Sequence, residues 1–334
     1  MLNGNHILVT GSTGLIGQAV VYELLTKNGY RLRLQVRNAK EARVKFNKFT
    51  DLNRVEIIEC DFTKCSDLDS YNLTKGCDTV IHLAGLVHKP SAPYQDYELL
   101  NVRATDQLFT SAQSNEISTF IFLSSSAVYG NGPFSSIDED APLKGETPYA
   151  VSKINCEQIL EKPTNIGRVV NLRPAMVFGE GDRGNLIKLI QTISKKRYVQ
   201  IGAGKTLKSL VYSRDLAKAI IGCIDKLSSG RYVLNVANPE AISMKNLSTE
   251  IWHALGHNGK IPSVPEQLLL AALKITDRVM PGRLPVNEEQ INKLTTETTL
   301  NVYKLAAMTD FHPTFTLRAA LRAEIKWAKD QGLI

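Results

Sequence analysis

The chain has 334 residues, 43% apolar and 22% charged, which is the composition of an ordinary globular protein able to bury a sizeable core. Its formal charge of +7 is scattered, with no long Lys/Arg block and no aromatic-studded basic patch. That excludes a nucleic-acid binder and suits a mildly basic enzyme with an anionic substrate. The longest apolar run, Leu268–Leu273, is far too short for a bilayer span.

In chain order, the first predicted strand is "HILVTG" (His6–Gly11), followed by a helix over Gln18–Gly29 that stops at a glycine. Further strands are read at "YRLRLQVR" (Tyr30–Arg37), "VEIIECDF" (Val55–Phe62), "DTVIHLAG" (Asp78–Gly85), "TFIFLSSSAVYG" (Thr119–Gly130) and "GRVVNLRPAMVFG" (Gly167–Gly179). These runs are continuous and β-branched rather than alternating. Strands buried on both faces look like that, and the helices between them imply parallel pairing. The expected fold is therefore α/β, a Rossmann-type doubly wound parallel sheet with a smaller α+β substrate lobe. Residues 1–175 form the dinucleotide-binding part, and 176–334 form mainly the lobe. In that half, 184–196, 213–227 and 316–332 read as helices and "GRYVLNVA" (Gly230–Ala237) as one more strand, so a segment of about 208–237 returns to the sheet. An early first strand leaves no room for a signal peptide. Five cysteines without a C-x-x-C pair suit a reduced, cytoplasmic compartment.

The first strand runs into "VTGSTGLIGQAV", where Gly11, Gly14 and Gly17 recur every third residue. A strand, glycine loop and helix in succession place orphan backbone N–H groups and a helix dipole where they bind an anion. Gly11 would make the tight turn, Gly14 would admit a pyrophosphate, and Gly17 would let the helix approach its strand. The cradle would comprise Gly11, Ser12, Thr13, Gly14, Leu15, Ile16 and Gly17. "TPYAVSK" puts Tyr149 one helical turn before Lys153, on the same face. A phenol with a pKa of about 10 is a poor base at neutral pH, and a nearby ammonium favours the phenolate. "FIFLSSSAVYG" is a buried strand that breaks into Ser124, Ser125 and Ser126 at the sheet end where α/β folds bind ligands. His82 reads as a packed strand-end histidine, and His253 and His257, although spaced i, i+4, lack a third ligand for a metal.

The form T-G-x-x-G-x-x-G (Thr10–Gly17), with Ser125, Tyr149 and Lys153, resembles the extended short-chain dehydrogenase/reductases, specifically the NAD(P)-dependent nucleotide-sugar epimerase/dehydratase family. The resemblance covers most of 6–240. It implies that Ser125 holds the substrate oxygen, with Ser126 as alternative, and that Tyr149 and Lys153 are catalytic and also touch the cofactor. It further assigns Asp61 and Phe62 to the adenine, and Leu83, Ala84, Gly85, Asn101 and Pro174 to the cofactor. Two positions depart from the pattern: Ala104 replaces a glycine and Met176 an asparagine. In the substrate half it implies diphosphate contacts from Asn185, Leu186 and Lys208, with Arg283 a weaker candidate, and matches Asp215 to a family acid.

The cofactor implied is NAD(P). The second strand ends at Arg37 with no acid before Glu41, and a guanidinium suits a 2′-phosphate, so the reading leans to NADP(H). The expected activity is epimerisation at C4 of a UDP-hexose type substrate by hydride transfer. The alternatives are an NADPH-dependent 4-ketoreductase of a nucleotide-linked deoxysugar, a 4-epimerase of a polyprenyl-diphosphate-linked sugar, and a non-catalytic dinucleotide sensor. A 4,6-dehydratase wants an acid pair after the serine, where Ser126 and Ala127 stand. Residues 261–285 are apolar and basic together, and would close over the sugar nucleotide or rest weakly on a membrane surface. The resemblance also implies a homodimer.

Overall fold

Seven parallel strands carry the fold: β1 (Asn5–Thr10), β2 (Tyr30–Val36), β3 (Val55–Glu59), β4 (Thr79–His82), β5 (Thr119–Leu123), β6 (Arg168–Pro174) and β7 (Gly230–Val236). In the computed structural model, which describes residues 5–47, 52–87, 92–269 and 288–334, they lie in the order β3-β2-β1-β4-β5-β6-β7. The order reverses beside β1, between β2 and β4, and such a switch point opens a crevice at the carboxyl ends of the strands.

Both faces of the sheet are covered. Along β5, Ile121 and Leu123 join one core with Val20 and Leu24 of α1 (Leu15–Leu25), while Phe120 and Phe122 join another on the far face. That second core holds Leu73 of α3 (Asp67–Thr74), Leu108 of α4 (Ala104–Ser114) and Cys156 of α5 (Pro148–Leu160). Burial on both sides is why the strand sequences do not alternate. Helix α2 (Ala39–Phe46) packs Ala42 and Phe46 into the first core. Helix α1 starts at Leu15, straight after Gly14, three residues before the start read from sequence. The entrance to α4 is irregular: one turn, Tyr94–Tyr97, leads into a π-helical stretch, Glu98–Arg103. The Thr147 hydroxyl caps α5 by accepting from the Ala150 N–H at 3.2 Å.

After β6 the chain builds a third core from α6 (Asn185–Ser194), α8 (Met244–Ala254) and α11 (Leu317–Asp330), around Phe178, Ile190, Tyr212, Leu247 and Leu321. Between them α7 (Ser213–Lys226) returns to pack on α1, placing Leu216 and Ile220 in the first core, and leads to β7. Helix α9 (Glu288–Thr295) precedes a further return, α10 (Tyr303–Thr309), whose Leu305 joins the same core with Phe311. A small sheet ties the halves together, pairing Thr298–Leu300 with Phe134–Ile137 and with Leu207–Lys208. No helix among the described residues is long and apolar enough to cross a membrane.

Candidate active site

The glycine loop leaves β1 at its carboxyl end. Gly11 sits at φ +63°, and a Cβ there would lie 2.8 Å from the Ala84 nitrogen. A Cβ on Gly17 would come within 2.6 Å of Ser12 Cα. Both glycines are demanded by the fold. Gly14 is different. Its φ of −73° and ψ of 174° suit any residue, and its Cβ would meet only the Gly11 carbonyl, at 3.3 Å. Its bareness leaves open space before the first turn of α1, which carries no capping side chain and no acid. Such a terminus fits an anion that approaches the backbone, and so fits the pyrophosphate of a dinucleotide.

Gln35, 2% exposed on β2, braces this loop and was not singled out from sequence. The Gly11 N–H donates to its Oε1 (3.0 Å), the Ser12 hydroxyl donates to its carbonyl (3.0 Å), and its Nε2 donates to the Cys60 carbonyl. The available signal was a long amide within a buried strand. Arg37 is exposed just past β2. It is one of the charges acting on Asp61, whose carboxyl lies below its usual range first because the Thr63 N–H donates to it. Phe62 is 6% exposed, with its ring edge-on to His82 in the second core. Its side chain packs in that core.

Beside the loop, the Thr10 hydroxyl accepts from the Leu83 and Ala84 N–H groups (3.2 and 3.1 Å) and bonds His82 Nδ1 (2.8 Å). His82 Nε2 bonds the Thr105 hydroxyl (3.1 Å). Burial, with the Lys153 charge behind it, pushes the His82 pKa down to about 3, so the ring is neutral and structural, as its sequence context suggested. Asn101 lies in the π-helical turn and is 1% exposed. Its Oδ1 accepts from the Leu86 N–H (2.6 Å), and its Nδ2 donates to the Leu86 carbonyl (3.1 Å) and the Ser152 hydroxyl (2.8 Å). It thereby ties the segment after β4 to α5. Gly85 lies between Asn101 and Lys153, where a Cβ would fall 3.0 Å from Asn101 Oδ1 and 3.6 Å from Lys153 Nζ. Pro174, at the end of β6, is buried against Val236 of β7.

Ser125, Tyr149 and Lys153 converge at the end of β5. Ser125 starts a 3-10 turn, accepting from the Ala127 N–H at 3.2 Å, and hydrogen-bonds Tyr149. Ser126, half-buried, is the first residue of that turn. Burial pushes the Tyr149 hydroxyl up to about 12, with the Ser125 hydrogen bond pulling the other way. Lys153, 5% exposed, donates to the Leu123 carbonyl (2.7 Å) and lies 4.6 Å from the centre of the Phe122 ring. Burial holds its pKa below the usual value. In this arrangement the ammonium is turned to the strand end, and burial rather than Lys153 sets the Tyr149 proton. Ser124 finds a side chain rather than a backbone group: its hydroxyl donates to Glu157. Glu157 is paired with Arg173 at 2.6 Å, Arg173 donates to the Tyr129 hydroxyl (3.0 Å), and that hydroxyl donates to Asn235 (2.7 Å). This buried network underpins the site.

The substrate-side residues are less gathered. Asn185 is exposed at the start of α6, whereas the Leu186 side chain is 1% exposed and part of the third core. The α6 terminus already holds a carboxylate, since Asp182 accepts from the Gly184 (2.6 Å) and Ile187 (3.1 Å) N–H groups. Lys208 donates to the Thr296 carbonyl and the Thr298 hydroxyl, and burial pushes its pKa down to about 8. Here it fastens 207–208 to 296–298. Asp215 is buried and accepts from the Thr314 N–H (2.9 Å), joining α7 to the entrance of α11. Arg283, and 270–285 of the apolar and basic segment, lie outside the described residues. No group of three His, Cys, Asp or Glu able to hold a metal occurs among the described residues.

Comparison with known proteins gives this geometry a family. The NAD dependent epimerase/dehydratase family matches residues 7–237. The chain is 30% identical to a UDP-glucose 4-epimerase of Vibrio cholerae over 262 residues, 75% of each chain. It is also 30% identical to an N-acetyl-alpha-D-glucosaminyl-diphospho-ditrans,octacis-undecaprenol 4-epimerase of Escherichia coli O157:H7, over 194 residues and 57% of each chain. In fold it is similar to the UDP-glucuronic acid 4-epimerase of Bacillus cereus solved with NAD, with a TM-score of 0.78 and 21% identity over 98% of this chain and 99% of that one. A glycine cradle that admits a dinucleotide, a Ser-Tyr-Lys group beside it and these matches lead to one conclusion: the chain belongs to the NAD-dependent epimerase/dehydratase family.

Proposed function

We propose that this protein is a nucleotide-sugar 4-epimerase that inverts C4 of a UDP-hexose type substrate. The observation that carries the reading is the hydrogen bond between Ser125 and Tyr149 beside Lys153, at the strand ends flanking the glycine loop. A dinucleotide held by this cradle would supply the acceptor and donor of the C4 hydride. The protein supplies the rest. The N–H groups of Ser12, Thr13, Leu15 and Ile16 and the α1 dipole hold the pyrophosphate. Ser125 orients the C4 oxygen. Tyr149 takes the hydroxyl proton as the 4-keto sugar forms and returns it when the sugar has turned over. Burial alone leaves the Tyr149 hydroxyl protonated, pushed up to about 12, so it must ionise before it can take that proton, and Lys153, one helical turn away, is the cation whose approach favours the phenolate. The sequence holds no acid pair after Ser125, which argues against dehydration.

Arg37 at the end of β2 supports an NADP(H) preference, since its guanidinium suits a 2′-phosphate. Replacing it, Arg37→Asp, is expected to shift the preference toward NAD(H), and an unchanged ratio of dissociation constants overturns this reading. A lipid-linked sugar diphosphate is the second substrate reading, supported by the similarity to the undecaprenol-linked 4-epimerase. Five unpaired thiols support a reduced, cytoplasmic setting. We take the assembly to be a homodimer, which light scattering checks. The deciding experiment offers the purified protein UDP-hexoses, a polyprenyl-diphosphate sugar, and a 4-keto nucleotide sugar with NADPH. Interconversion at C4 without net oxidation is the expected outcome. Stoichiometric loss of NADPH with the keto sugar alone overturns it in favour of a ketoreductase.

A further inference from the structure

Two thiols that the reaction does not use face each other at the edge of the cradle. Cys60 follows β3 with its N–H on the Val36 carbonyl (2.9 Å). Cys65 stands just before Ser66, the cap of α3. The turn between them is closed by the Lys64 N–H on the Asp61 carbonyl (2.8 Å) and the Thr63 N–H on the Asp61 carboxylate (3.0 Å). It brings the two Sγ atoms to 3.1 Å, with the Cys60 thiol donating to Cys65. That is about 1 Å longer than a disulfide bond. The Ser70 hydroxyl lies 3.4 Å from Cys65 Sγ. Cys65 is 5% exposed and Cys60 half-buried, so the pair opens to solvent through Cys60. Cys77, Cys156 and Cys223 are buried apart from them.

What the pair could do follows from what Cys60 holds. Its carbonyl accepts from Gln35 Nε2, and Gln35 Oε1 accepts from the Gly11 N–H. Movement of Cys60 therefore reaches the glycine loop through one side chain, and reaches Asp61 directly.

We propose that Cys60 and Cys65 form a reversible redox site, closed to a disulfide by a peroxide, and that closure weakens dinucleotide binding by displacing Cys60 and its hold on Gln35. The Cys65 thiolate attacks one peroxide oxygen, the O–O bond breaks, and the departing hydroxide takes a proton to leave as water. The Cys60 sulfur then attacks the Cys65 sulfenic acid, the S–O bond breaks, and hydroxide leaves with the Cys60 proton as a second water. Two thiols lose two electrons and two protons in all, one peroxide becomes two waters, and a dithiol reverses the change. The hydrogen bonds from Cys60 and Ser70 bring the Cys65 thiol down to about 7 against the effect of burial, which suits it to the first step.

The binding half of the proposal rests on the dinucleotide lying on this cradle, whereas disulfide formation does not. The test treats the whole reduced protein with hydrogen peroxide, alkylates the remaining thiols, and maps the peptides by mass. NAD(H) and NADP(H) affinities are measured before and after oxidation, and again after dithiothreitol. The expected result is loss of two of the five thiols, a Cys60–Cys65 peptide lighter by two hydrogens, and a several-fold weaker dissociation constant that dithiothreitol restores. Cys65→Ser, with Cys60→Ser as a second variant, should keep its affinity through peroxide treatment. The proposal is overturned if both thiols stay open to alkylation, if oxidation stops at a sulfinic acid on one of them, or if the disulfide forms with no change in affinity. Reduced protein that binds no dinucleotide would instead overturn the cradle, and with it the binding half, while the mass map still decides the disulfide.

Discussion

Tyr149 is buried, hydrogen-bonded to Ser125 and pushed up to about 12. Tyr149→Phe removes the proton carrier with little change in volume, so kcat should fall by about 10²–10⁴-fold, far more than the dinucleotide dissociation constant changes. A steady-state assay beside a binding titration checks both. The glycines make a sharper residue-scale prediction. Gly17→Ala drives a Cβ into the backbone at Ser12 and should destabilise the fold. Gly14→Ala meets only one carbonyl at 3.3 Å, so its melting temperature should stay near wild type while dinucleotide affinity falls. Equal affinity for wild type and Gly14→Ala would contradict the cradle. Residues such as Gly17 and Tyr149 were legible because their roles sit in local spacing. Gln35 was not, because it is defined by partners far along the chain, Gly11 and Cys60.

The elements are joined beneath the site by buried charge. The ion pair of Glu157 on α5 and Arg173 on β6 is 4–6% exposed. Removing one partner leaves a charge in the interior, so Arg173→Met should cost about 3–5 kcal/mol of stability, read by urea denaturation, and a loss near zero would contradict the network's role. A second buried carboxyl cluster joins the lobe. Burial pushes Glu324 of α11 up to about 9, with the charges of Asp182 and Glu180 adding to it, and burial also raises Asp182. A carboxyl that ordinarily titrates near 4.5 therefore keeps its proton in the folded state. Its contribution is complete below that pH and drains away as pH rises toward 9. Glu324→Gln should raise the melting temperature relative to wild type at about pH 8.5 and change it little at about pH 4. Equal melting behaviour at both pH values would contradict it. Long strands such as β5 were legible from their apolar runs. The two-residue strands Leu207–Lys208 and Ile242–Ser243 and the π-helical turn at Glu98–Arg103 were not, since they are too short to show a period and are fixed by tertiary pairing.

On the scale of the whole molecule, the chain brings a dinucleotide cradle and a proton-transfer group to the same strand ends, then sends α7, β7 and α10 back across the sheet so that the lobe is interleaved with it. The alternation of strands and helices made the sheet legible, while the return of α10 was hidden because Leu305 and Phe311 lie far from the segments they complete. The central claim is that this arrangement inverts C4 through hydride transfer and return, with Tyr149 carrying the proton. The most direct measurement incubates the purified protein, loaded with its oxidised dinucleotide, with a UDP-hexose and follows the C4 epimer by NMR and the reduced cofactor by absorbance. The expected result is conversion to an equilibrium mixture of both epimers over many turnovers with no net reduced cofactor, and loss of that conversion in Tyr149→Phe. Full activity in Tyr149→Phe, or reduced cofactor building up in step with product, would contradict it.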